Sequence, residues 1–60
     1  MTKNEELQIA QKVLGNAIKA TLIATELVKK QGAPEDFLEE CLKTAEHLVE
    51  SRTILKGLED

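Results

Sequence analysis

Residues 10–28, AQKVLGNAIKATLIATELV, decide the fold. Advancing 100° per residue around a helical wheel places Ala10, Leu14, Ala17, Thr21, Ala24 and Val28 in one narrow stripe at heptad spacing, the arrangement of a seam through which helices pack. Alanine at one seam position, with Leu, Thr or Val at the other, suits close packing. Ile9, Val13, Ala20, Ile23 and Leu27 flank the stripe on one side, and Leu7, Ile18 and Leu22 on the other. The apolar arc therefore spans roughly 260°, against about 100° or somewhat more for an ordinary amphipathic helix. One neighbouring helix cannot cover such an arc, so this one requires two or three.

Outward from this stretch, the chain punctuates itself at both ends. Thr2-Lys3-Asn4-Glu5 has the form of a capping box, with Thr2 as N-cap and Glu5 reaching back. Lys29 and Lys30 place positive charge beside the last carbonyls, and Gly32 can take the left-handed position that ends a helix. Pro34 suits the first turn of a second helix, and Glu35, Asp36, Glu39 and Glu40 put negative charge near its N-terminus. Ala33 is a poor N-cap, so packing should hold that turn. Leu38, Cys41, Ala45, Leu48, Arg52 and Leu55 form the second seam, with Phe37, Leu42 and Val49 beside it and an acidic, polar outer face. The pattern fades near Gly57, leaving residues 58–60 as an expected frayed end.

The expectation is one domain with helix 1 over about residues 3–31, a turn at 32–33 and helix 2 over about 34–57. A connection this short forces the helices antiparallel. Gly15-Asn16 is also a turn signal, but the wheel keeps its phase across it and both residues fall on the polar arc, so helix 1 is expected to continue.

Sixty residues bury only about 60% of the surface that the unfolded chain exposes. Small domains compensate with disulfides, a metal or oligomerisation. A single Cys41 allows no internal disulfide and a single His47 leaves too few ligands for zinc, so oligomerisation remains. An apolar share of 42% with 32% charged residues is too apolar for a disordered chain. Phe37 is the sole aromatic and the β-branched residues keep helical spacing, so the class is all-α. No apolar run approaches the roughly 18 residues of a membrane span, and MTKNEEL has neither a basic n-region nor a signal core. The expectation is a cytoplasmic protein without a membrane partner.

The chemistry-bearing residues do not form a reactive set, and no catalytic, cofactor or metal site is assigned. Glu35, Asp36, Glu39, Glu40, Glu46 and Glu50 read as a solvated helix face, whereas acid–base catalysis needs carboxylates in a cleft. Cys41 lies on the apolar stripe as a small hydrophobe, and six residues along a helix do not turn it toward His47. Arg52 stands at a seam position, where it either pairs with a carboxylate such as Glu5 or Glu6 of another chain or recognises a partner. Thr21 and Thr44 can each bond a carbonyl of their own helix. Charge divides unevenly, with five Lys against three acids in residues 1–32, +2, and three basic residues against eight acids in residues 33–60, −5.

The opening Met-Thr-Lys, the length, the two-helix layout and the seam of small and large layers at Cys41, Ala45 and Leu48 resemble the repressor of primer family, the plasmid-encoded Rop proteins. The resemblance implies that two hairpins pair into an antiparallel four-helix bundle and that the outer face of the two first helices binds a pair of RNA hairpins. Lys3, Lys12, Asn16 and Lys19 are the positions that would contact RNA. The family's face carries an aromatic residue, and helix 1 here has none.

Taken together, these features lead to the expectation of a helical hairpin that forms a homodimeric four-helix bundle and serves as a small, non-enzymatic regulatory or adaptor protein through helix-face association. The expected interface is Ala10, Leu14, Ala17, Thr21, Ala24 and Val28 of helix 1 with Cys41, Ala45, Leu48, Arg52 and Leu55 of helix 2. Ile18, Leu22 and Ile23, beside the polar arc, are candidates for a surface that docks another protein. Two alternatives stay open: an RNA-binding regulator using helix 1's outer face, and an obligate subunit or chaperone of a larger helical complex.

Overall fold

Thr2 starts the first helix as the capping box requires. In the computed structural model, which describes residues 1–59, the Glu5 N–H donates to Thr2 Oγ1 at 3.2 Å and the Thr2 N–H donates to Glu5 Oε1 at 3.3 Å. Helix α1 then runs unbroken over Lys3–Lys30, straight through Gly15 and Asn16. Its end is a Schellman turn: Ala33 N–H donates to Val28 O and Gly32 N–H to Lys29 O, both at 3.1 Å, with Gly32 at φ 80. Only glycine adopts that conformation without steric cost.

The sequence suggests that the second helix begins at Pro34, but helix α2 spans Glu35–Gly57 and Pro34 is its N-cap. Its fixed φ of −58 is combined with an extended ψ of 150, and its carbonyl accepts the first helical bond from Leu38 N–H at 3.1 Å. Proline has no side-chain oxygen to serve the free amides of the first turn. Asp36 supplies one instead, its Oδ1 accepting from Phe37 N–H at 3.0 Å.

The two helices pack antiparallel as a hairpin, and no strand occurs among the described residues. On α1 the burial follows Asn4, Leu7, Gln11, Leu14, Ile18, Thr21, Thr25 and Val28, alternating steps of three and four. This stripe is rotated by roughly 50° from the seam expected from the sequence. Leu14, Thr21 and Val28 belong to both, but Ile18 and Thr25 take the places of Ala17 and Ala24, and Ala24 is exposed. The stripe facing α2 is half polar, which is tolerated because Thr21 and Thr25 donate their hydroxyls to carbonyls of their own helix, and it leaves Ile9, Val13, Ile23 and Leu27 outside the hairpin. On α2 the stripe is Leu38, Cys41, Ala45, Leu48, Ser51 and Leu55, with Ser51 inward where Arg52 was expected.

Of the residues expected to fray, Glu59 is tied to the first helix. Glu59 is half-buried and its Oε1 accepts from Gln11 Nε2 at 2.9 Å, joining the end of α2 to α1. Asp60 lies outside the described residues.

Such a hairpin has almost no interior. Among the described residues only Ala45, 6% exposed, and Thr25, 7% exposed, are buried, and no large side chain is fully enclosed. Thr25 donates its hydroxyl to Thr21 O at 2.7 Å, so its burial leaves no unpaired polar atom. The hairpin measures 45 × 15 × 9 Å, with a radius of gyration of 14.1 Å. A compact chain of this length would have a radius of about 10 Å.

Candidate interaction surface

Two long helices side by side leave a groove on each face. On one face, Ile18 and Leu22 of α1 and Leu42, Ala45 and Val49 of α2 line a groove dominated by apolar atoms. Leu22, Leu42 and Val49 are each exposed by nearly half, at 45%, 49% and 48%. Toward the turn the groove continues past Thr25, Lys29, Leu38 and Glu39, and toward the open end past Gln11, Arg52 and Lys56. Its middle floor is therefore apolar, and both of its ends are bordered by polar and charged side chains.

At the open end Gly15 has a structural role. A methyl group built on it would stand 3.3 Å from Arg52 Nη1 and 3.4 Å from its Cζ, so the guanidinium lies directly across the glycine. Gly15 is half-buried at the hairpin's edge, where the sequence had placed it on the polar arc. Arg52 itself is exposed and forms no ion pair with a described residue. From outside the inward stripe of α2, Arg52 thus reaches across to place its cation over α1.

A second apolar surface runs along α1 away from α2. Ile9, Val13, Ile23 and Leu27 are 50%, 60%, 61% and 58% exposed, with Ala20 exposed among them. Of the three candidates for docking another protein, Ile18 and Leu22 share the groove, and Ile23 belongs to this ridge. Of the residues expected between copies, Leu14, Thr21, Val28, Cys41, Leu48 and Leu55 are half-buried and Ala45 fully buried in the hairpin's own stripe. Ala10 and Ala17 are half-buried at its edge, and Ala24 and Arg52 are exposed. Leu42 and Val49, which the sequence placed merely beside the second seam, turn out to be central to the groove. Their seven-residue spacing was the available signal.

Lys12, Asn16 and Lys19 stand exposed along one side of α1, and Lys3 is exposed near its start. The hydroxyls of Thr21 and Thr44 donate to Ala17 O at 2.8 Å and Glu40 O at 2.9 Å. Cys41 is a half-buried free thiol, and His47 is exposed. Among the described residues no group of His, Cys, Asp or Glu is arranged to hold a metal ion, and no helix is long and apolar enough to cross a membrane. The arrangement offers apolar contact bordered by charge. No protein-family model, curated protein or solved structure matches the chain.

Proposed function

We propose that this chain is a non-enzymatic association module of the reducing cytoplasm, which forms a homodimeric four-helix bundle and acts as a regulator or adaptor through its helix faces. The observation that carries this reading is the surplus of surface. The hairpin exposes 4738 Å² for a mass of 6.7 kDa. A compact monomer of that mass exposes about 3,900 Å². The surplus, about 800 Å², is what each partner buries in a standard protein interface. The free thiol of Cys41 suits a reducing compartment.

Light scattering over a concentration series, with helicity followed by circular dichroism in the same samples, tests this. The expected result is a helical dimer that dissociates, with loss of helicity, on dilution. A poorly helical monomer at every concentration would reject self-association and assign the apolar surface to a different protein, as in an obligate subunit. A second reading, RNA binding, draws support from the exposure of Lys12, Asn16 and Lys19 along one side of α1. It requires RNA affinity that falls steeply with salt and disappears on replacing Lys12 and Lys19 by alanine.

A further inference from the structure

We infer that the groove floored by Ile18, Leu22, Leu42, Ala45 and Val49 is covered by a second copy of the hairpin related by a two-fold axis parallel to the helices, so that α1 lies against α2 of the second copy and both turns meet at one end. This rests on the dimer reading and adds the face and the arrangement.

The face follows from shape and area. The ridge of Ile9, Val13, Ile23 and Leu27 belongs to one helix and offers a partner a single line of contact. The groove is bordered by both helices along a hairpin 45 Å long, and another hairpin is the occupant that matches that length with two helices. The surplus of about 800 Å² per copy is of the size that one partner buries in a standard interface.

The arrangement follows from charge. Face-to-face hairpins can be related by an axis across the helices, which sets α1 on α1 and α2 on α2, or by an axis along them, which sets α1 on α2. Glu46 lines the groove beside Ala45 and Val49, and Lys19, next to Ile18 in the chain, stands at a similar height on the outer side of α1. Both side chains are exposed. With the axis across the helices near their mid-length, Lys19 approaches Lys19 of the other copy and Glu46 approaches Glu46. With the axis along them, each Lys19 faces a Glu46. Near the turn, Lys29 of α1 likewise faces Glu35 and Glu39 of the opposite α2. Like charges at an interface rim select against a register even where opposite pairs add little affinity. The halves as wholes agree, since residues 1–32 carry +2 and residues 33–60 carry −5.

The test is a distance between turns. Gln31→Cys in a Cys41→Ser background, checked for unchanged helicity and dimer mass, carries a spin or fluorescent label at the exposed turn. Turns at one end place the two labels within about 20 Å, given helices 8–10 Å apart. Turns at opposite ends separate them by most of the 45 Å length. As a second measurement without labels, Lys19→Glu should weaken the dimer roughly 2- to 10-fold and Lys19→Glu with Glu46→Lys should restore it, on the scale of exposed ion pairs. Leu42→Glu should abolish the dimer, and Val13→Glu should leave it intact. Short label distances with this mutational pattern support the inference. A dimer with long label distances overturns the arrangement, and a dimer that survives Leu42→Glu but not Val13→Glu overturns the face. A monomeric wild type rejects the dimer reading itself, which separates the two failures.

Discussion

Thr2 and Gly32 hold the two ends of α1 by different means, and each can be tested alone. Thr2 serves two amides reciprocally with Glu5. Thr2→Ala should cost about 0.5–2 kcal/mol, read as a lower denaturant midpoint with an unchanged slope. Gly32, at φ 80 with nothing within 4 Å of where a Cβ would sit, is constrained by backbone conformation and not by space. Gly32→Ala should therefore destabilise by about 1–2 kcal/mol through the left-handed geometry alone, and a neutral result in chemical denaturation would contradict that geometry. Both residues were legible in the sequence because caps are local: their partners lie within five residues. Gly15 was not, because its neighbour is Arg52 on the other helix.

Each helix is defined as an element by a continuous hydrophobic phase, and that phase correctly carried α1 through Gly15-Asn16. Which part of the apolar arc faces α2 was not legible, since a wide arc offers several stripes of similar quality. The structure turns Leu7, Ile18 and Thr25 toward α2 and leaves Ile9, Val13, Ile23 and Leu27 outside. The far end of α2 depends on a tertiary bond, Gln11 Nε2 to Glu59 Oε1. Replacing Gln11 by Ala should cost about 1 kcal/mol locally, seen as faster amide exchange in the last turn of α2 with little change near the Gly32 turn. Equal acceleration throughout α2 would show that this bond holds no local structure.

For the molecule as a whole, the hairpin of Lys3–Lys30 and Glu35–Gly57 buries only Ala45 and Thr25 among its described residues. In the proposed dimer most of the stability comes from assembly, and the melting temperature should then rise with protein concentration. A melting temperature constant over a hundredfold concentration range would show the hairpin to be stable alone. If the groove is the face between copies, the ridge of Ile9, Val13, Ile23 and Leu27 stays outside the bundle as a surface for another protein. Val13→Glu should then spare the dimer and disrupt only such heterologous binding.

The sequence by itself determined the all-α class, two antiparallel helices and the two ends of α1, because heptad phase and capping chemistry are properties of residues three to five apart. It also showed that the apolar arc of residues 10–28 exceeds what one helix covers. Only the tertiary structure decided which stripe of that arc is consumed inside the hairpin, and that Leu22, Leu42 and Val49 are left together on one face. It also set Arg52 across Gly15. The physical reason is that rotation of one helix against another is fixed by contacts between residues far apart in the chain, which neither helix's own periodicity contains.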